Sequence, residues 1–300
     1  MEIKIDNLSK SIDKVKVLKD ISIRIRSGEA HALVGSNGAG KTTLINCILG
    51  LYSQYSGKIE IDGMDIRSKM FNQSRKNIAF VLDTTGLFVS LNAWDNIEFY
   101  DRLCNSNSTV AERKERVSKI FEIISLENRK YDSITKFSKG MKQRLALGRT
   151  MVCNPQAIIL DEPFQGLDVE GKILLSSYLN GLKQKGCTIL LSSHDLSEIE
   201  KICDVVSFVK CGEIVLTKNI NRSENSVKYV HFKCVNQDAI IEKLRETGFV
   251  KNIDLNNDEV IVAVNSISEL SQWLLQHNVE IKELYSASKS LEEIYQNVIM

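Results

Sequence analysis

The stretch Gly35-Ser36-Asn37-Gly38-Ala39-Gly40-Lys41-Thr42-Thr43 constrains this chain more than any other. It satisfies the pattern G-x-x-x-x-G-K-[ST] at every defined position. A strand-like run, Ala30 to Val34, precedes it, and a helix-like run, Thr42 to Leu49, follows. In that context the glycines let backbone N–H groups wrap a phosphate that a Cβ would obstruct. Lys41 would reach the β- and γ-phosphates as a point charge. Thr42 would offer its hydroxyl to Mg²⁺, and the helix N-terminus adds partial positive charge. A glycine-rich turn with a chance lysine would need neither flank. The residues from Gly35 to Thr43 are therefore candidate contacts to a nucleoside triphosphate.

The rest of the composition narrows the class. A chain of 300 residues holds one large domain or two ordinary ones. Its 43% hydrophobic and 26% charged residues are those of a soluble globular protein. A net charge of +1 gives no electrostatic case for nucleic acid or an acidic membrane. No apolar run approaches the roughly 20 residues that cross a bilayer. The start, Met1 to Asp6, alternates charged and apolar residues, so it reads as a strand and not a signal peptide. A membrane role would then need a separate partner chain. The seven cysteines are scattered, odd in number and without a C-x-x-C pair. That argues against a disulfide framework or zinc site, and for a reducing cytosol with mostly buried thiols.

Strand-like runs dominate residues 1–62: Glu2–Leu8, Val15–Ile25, Glu29–Val34 and Lys58–Ile61, with a further strand at Asn77–Leu82. From about Leu91 to Met151 the apolar spacing turns helical, most clearly in Asn92–Leu103 and Thr109–Ile124. Strand and helix then alternate through Val209, the pattern of a parallel sheet flanked by helices. Residues 1–218 read as one α/β domain, with a helical subdomain at about 84–153. Polar, aperiodic residues 219–226 read as a linker. Residues 227–300 read as a small α+β domain of βαββαβ order, which is ferredoxin-like.

A second phosphate-linked element is Ile158-Ile159-Leu160-Asp161-Glu162. An apolar run ending in acid reads as a buried strand delivering carboxylates to the ligand-binding edge of the sheet. Asp161 would hold Mg²⁺ through its water shell, and Glu162 would polarise the attacking water. A purely structural strand would look the same; the phosphate loop upstream favours the functional reading.

The segment Phe137-Ser138-Lys139-Gly140-Met141-Lys142-Gln143-Arg144-Leu145 resembles the signature motif of ABC ATPases, commonly Leu-Ser-Gly-Gly-Gln. Ser138 and Gly140 match, as does the following helix with Gln143 and Arg144. Lys139 and Met141 depart from the common form, in a variant familiar among ABC exporter ATPases. Ser138 also reads as an ordinary N-cap, and a capped, glycine-bearing helix start is itself an anion site. Gly166-Leu167-Asp168 resembles the D-loop, and His194, behind Ser192-Ser193, resembles the switch histidine that contacts the γ-phosphate. The resemblance covers about residues 2–217.

The resemblance implies a P-loop ABC ATPase fold: a RecA-like core, an antiparallel β subdomain and a helical subdomain. It implies ATP and Mg²⁺ as cofactors, and two ATPase domains closing head to tail around two ATPs. Lys41, Thr42, Asp161, Glu162 and His194 of one copy would face Ser138 and Gly140 of the other, with Asp168 beside them. The second copy would come from a homodimer or a related subunit. The implied setting is the cytoplasmic face of a membrane, on a separately encoded permease, with no nucleic-acid partner. Rival readings are a soluble ABC ATPase acting on ribosomes or DNA, and an ATP-switched sensory module.

Two positions depart from the family pattern. Near Ile12 the family places an adenine-stacking aromatic, and none lies nearby. Where it usually has glutamine, this chain has Asp83, which either ligates Mg²⁺ or has turned away. The segment Thr84–Asn96 is expected to grip a permease helix through Leu87, Phe88, Leu91 and Trp94, or to pack them within the helical subdomain. The tail Ser288 to Tyr295 resembles the ending of ATPases serving drug, peptide, polysaccharide or ion exporters.

Overall fold

In the computed structural model the described residues are 1–220, 228–256, 259–287 and 291–299. They form two compact units, Met1–Asn219 and Ile220–Val298.

The first unit opens with strands β1 (Ile3–Ile12) and β2 (Val15–Ile25), then β3 (Ala30–Val34), helix α1 (Lys41–Ile48), β4 (Ser56–Ile61) and β5 (Met64–Asp65). The short helix α2 (Phe71–Ser74) leads to β6 (Ile78–Val81). Helices α3 (Ala93–Cys104), α4 (Val110–Ile123) and α5 (Lys139–Met151) follow. The chain then alternates through β7 (Ala157–Asp161), α6 (Val169–Gln184), β8 (Thr188–Ser193), α7 (Leu196–Ile202), β9 (Val205–Lys210) and β10 (Glu213–Asn219).

Two sheets build this unit. The central one has the order β10-β9-β3-β8-β7-β6, parallel except for its edge strand β10. Every residue of β3, β7 and β8 is buried, as expected of parallel strands covered on both faces. The other sheet, β2-β1-β4-β5, is antiparallel. Its period-two pattern sends Ile3 and Ile5 inward, into a core shared with Leu33, Leu44 and Ile159, while Lys4 faces out.

Helices α3, α4 and α5 enclose a separate core around Ile97, Val117, Phe121 and Leu145. Their starts carry strong stop signals for strand. The Asn92 side chain accepts from the Asp95 N–H at 2.8 Å to cap α3, and Thr109 with Glu112 makes a reciprocal capping box on α4. The end of α3 is bonded to the chain leaving α5 by a Cys104–Cys153 disulfide, with Cα atoms 5.4 Å apart. This pair departs from the expectation of a reducing setting without disulfides: residues 49 apart in sequence are brought together by helix packing, which cysteine spacing does not reveal. Cys47, Cys187, Cys203 and Cys234 are free and buried, and Cys211 is free and exposed.

The second unit runs β11 (Lys228–Cys234), α8 (Gln237–Arg245), β12 (Val250–Asn256), β13 (Glu259–Val264), α9 (Ile267–Gln276), β14 (Ile281–Ala287) and α10 (Leu291–Ile299). Its antiparallel sheet has the order β12-β13-β11-β14, the arrangement of a ferredoxin-like βαββαβ layer. Val230, Phe232, Val260, Val262 and Val264 line one sheet face and pack with Leu244, Leu270 and Leu274 of α8 and α9.

Strand β10 extends to Asn219, paired with Val205. Residues 221–226 of the expected linker, Val227 at the expected start of the second domain, and Ser288 to Ser290 of the tail lie outside the described residues.

Candidate functional site

The site grows from the ends of three neighbouring strands. Beyond β3 the chain turns through Gly35 to Gly40 and enters α1 at Lys41. Gly40 sits at φ +108°, and a Cβ there would come within 2.9 Å of the Leu18 side chain, so only glycine fits. Lys41 is buried, and its ammonium donates to the Gly35 carbonyl at 2.7 Å and the Ser36 carbonyl at 3.3 Å.

Strand β7 delivers Asp161, fully buried, and then Glu162, whose φ of +47° turns it out of the sheet. Strand β8 lies beside it in register, with Asp161 paired to Ser192. Glu162 is mostly enclosed, its side chain 14% exposed. One of its oxygens, Oε2, lies 2.8 Å from Nδ1 of the exposed His194, just past β8. The other, Oε1, lies 3.4 Å from the Lys41 ammonium without hydrogen-bond geometry, a coulombic contact.

These groups border one cleft of about 600 Å³. Ser36 through Thr43, Asp83, Glu162, Gln165 and His194 line it, and Ile12, Asp13, Val15 and Val17 complete it. Thr42 and Asp83 are both exposed there. Apart from His194 no ring lines the cleft, so the region around Ile12 is aliphatic. Gly35 and Asp161 are not among the lining residues, although Gly35 begins the loop and Asp161 directly precedes Glu162.

Ser138, Gly140 and Asp168 lie outside this cleft. The Ser138 side chain caps α5 by accepting from the Met141 N–H at 3.2 Å. A Cβ on Gly140 would come within 2.7 Å of the Gly166 carbonyl, so the signature loop packs directly on the loop ahead of α6. The Asp168 side chain caps α6 and pairs with Arg144, whose guanidinium holds the carboxyl below the usual carboxylate range. Lys139 joins the two loops by donating to Gln165 at 2.7 Å.

A second concavity of about 630 Å³ lies in the same unit, bordered by Phe80, Tyr100, Leu103 and Arg149 among others. The buried Arg149 donates to the Gly86 carbonyl at 2.9 Å and covers the Tyr100 ring at 4.6 Å; burial lowers its pKa. Phe80, Phe88 and Phe99 are each about 40% exposed, and the Phe88 and Phe99 rings meet edge-on at 5.0 Å. Of the four apolar residues expected to face a partner or to pack within the subdomain, Phe88 is exposed beside Phe99. Trp94 instead stacks on Phe121 at 5.9 Å, and Leu87 packs on the same helical core.

Two residues at the site escaped the sequence reading. Gln165 lies three past Glu162, and Ser192 two before His194; neither residue type signals a site without its neighbours in space.

Comparison with known proteins places the chain in a family. A family described as ABC transporter matches residues 18–165. The lantibiotic transport ATP-binding protein SrtF of Streptococcus pyogenes is 34% identical over 224 residues, covering 74% of this chain and 93% of that protein. The bacitracin transport ATP-binding protein BcrA of Bacillus licheniformis is 28% identical over 302 residues, covering 99% of this chain and 97% of that protein. In fold the chain resembles the ATP-binding cassette MJ0796, solved as a dimer in a post-hydrolysis state bound to ADP and Pi. The TM-score is 0.67 and the identity 24%, over 73% of this chain and 99% of that one. The chain therefore belongs to the ABC transporter family, as an ATP-binding subunit with ATPase activity.

Proposed function

We propose that this subunit drives export through a separate membrane permease, hydrolysing Mg²⁺-ATP at sites completed when two ATPase domains close. The observation that carries the reading is the Glu162 carboxylate, placed between Lys41 and His194 at the mouth of the phosphate loop.

Phosphoryl transfer to water needs an oriented nucleophile and charge stabilisation more than covalent help. Glu162 is the group to orient the water. His194, bonded to one of its oxygens, fixes the carboxylate's direction and can reach toward the γ-phosphate. Lys41 would exchange its carbonyl partners for phosphate oxygens, and the loop N–H groups from Ser36 to Thr43 would hold the β-phosphate. The residues suit Mg²⁺: Asp161 Oδ2 is buried without a hydrogen-bond partner, and the Thr42 hydroxyl opens α1 at the cleft. An ion held there would supply charge neutralisation to the phosphates. Asp83 is the third candidate ligand. Ser138, Gly140 and Asp168 stand outside the chain's own cleft, which is consistent with service to a second domain's ATP.

Transport is supported by the names of SrtF and BcrA, the latter similar along nearly the whole chain, and the lean to export by the Ser-Lys-Gly-Met form of the segment from Ser138 to Met141. Among the described residues no helix is long and apolar enough to cross a membrane. The exposed Phe88–Phe99 pair offers a membrane partner an apolar seat. The test is to express tagged Glu162→Gln protein in its native host, solubilise gently with ATP, and identify what co-purifies. A polytopic membrane protein is expected; ribosomes, DNA or soluble proteins alone would overturn the reading.

A further inference from the structure

We propose that Ser192 is a positioning residue for hydrolysis, whose single hydroxyl sets both carboxylates at the end of β7. The inference rests on the roles proposed above for Asp161 and Glu162.

Ser192 is fully buried at the end of β8, beside Asp161 in the parallel ladder. Its Oγ makes two hydrogen bonds, and each reaches one of the two acids. It donates to Asp161 Oδ1 at 2.5 Å and accepts from the Glu162 backbone N–H at 2.9 Å. A hydroxyl has one proton to give and lone pairs to receive, so one atom satisfies both demands. An alanine could serve neither, and a carboxylate could not donate.

The first bond decides which oxygen of Asp161 is free. Oδ1 is occupied by Ser192, and Oδ2 is left buried without a partner. The second bond acts on the backbone. Glu162 is held at φ +47°, a left-handed conformation that a long side chain seldom adopts without support. The Ser192 oxygen anchors the N–H of that residue, and so fixes the direction in which the carboxylate leaves the sheet, toward His194 and Lys41. Ser192 touches no reacting atom in this scheme. It acts through the two acids, and its loss lets the Glu162 peptide relax and leaves two buried polar groups unpaired.

The experiment compares the full-length chain with Ser192→Ala, Ser192→Cys and Ser192→Thr, following phosphate release against ATP and Mg²⁺. Alanine and cysteine should each lower kcat by about tenfold or more with the KM for ATP within about twofold, because ground-state binding rests on the phosphate loop. The Mg²⁺ concentration for half-maximal rate should rise in both. Threonine keeps the hydroxyl and should retain kcat within about threefold of wild type. Cysteine is close to serine in shape but a weak donor, so it carries the test should alanine fail to fold. Ser207→Ala removes another fully buried hydroxyl of the same sheet, bonded to His31, and should lower the melting temperature while leaving kcat unchanged. Wild-type kcat in Ser192→Cys, or an equal loss of kcat in Ser207→Ala, would overturn the proposal. If Glu162→Gln is inactive while Ser192→Cys is fully active, only the positioning role has failed. If Glu162→Gln itself turns over at the wild-type rate, the catalytic assignment beneath it falls too.

Discussion

His194 Nδ1 lies 2.8 Å from Glu162 Oε2, while the other oxygen of the same carboxylate lies 3.4 Å from the Lys41 ammonium. The phosphate loop, the end of β7 and the turn after β8 therefore converge on one acid. A carboxylate held from two sides has little rotational freedom, and orientation is what water attack on a phosphate requires.

Replacing His194 by alanine removes one of those holds without touching the phosphate loop. The expected result is a fall in kcat of about 100-fold with ATP affinity changed by less than about threefold. Phosphate release at saturating ATP, paired with equilibrium nucleotide binding, checks both halves.

Around Ile12 the cleft is aliphatic, lined by Val15 and Val17 with Asp13. Apolar contact without a ring gives little distinction between purines. ATP and GTP should bind within about tenfold of one another, a gap of about 1.4 kcal/mol. Ile12→Tyr should tighten ATP by roughly fivefold through stacking worth about 1 kcal/mol. Titration with fluorescent nucleotides measures both.

Of the three candidate Mg²⁺ ligands Asp161 is buried while Thr42 and Asp83 are exposed, and the expected effects differ accordingly. Asp161 is fully buried with an unpartnered oxygen, so Asp161→Asn should raise the Mg²⁺ requirement by about tenfold or more. Asp83 is exposed at the cleft, and Asp83→Gln should shift the requirement only a few-fold. A Mg²⁺ dependence of ATPase rate untouched by Asp83→Gln would remove that residue from the ligand set.

The α/β pattern was legible because its strongest signals are local: a glycine loop between strand and helix, apolar runs such as Ala157 to Leu160, and helical spacing in Thr109–Ile124. What was missed depends on neighbours distant in sequence. Trp94 and Phe88 look alike in sequence, yet only the folded arrangement decides that Trp94 meets Phe121 across α3 and α4, while Phe88, ahead of α3, meets Phe99 on it. The Cys104–Cys153 pair joins residues that nothing in their spacing connects. Ser192 has meaning only once β8 lies beside β7.

Burial also makes the fold sensitive to alkali. It pushes the Tyr178 hydroxyl from 10.0 up to about 12, and the Cys47 and Cys187 thiols from 9.0 up to about 11. Each folded pKa lies above its unfolded value, so the unfolded chain releases protons first as pH rises. The stability they contribute is complete below pH 9 and is lost progressively between 9 and 12. The unfolding free energy from urea titration should therefore fall across that window, by roughly 1.4 kcal/mol per pH unit for each group titrating. Tyr178→Phe should flatten the part of the decline above pH 10.

The most direct test of the account is Glu162→Gln, which keeps the size and hydrogen bonds of the side chain but not its charge. The account predicts normal ATP binding, phosphate release reduced by about 100-fold or more, and a dimer by light scattering that forms only with Mg²⁺-ATP. Phosphate release near the wild-type rate, or a monomer at every ATP concentration, would contradict it.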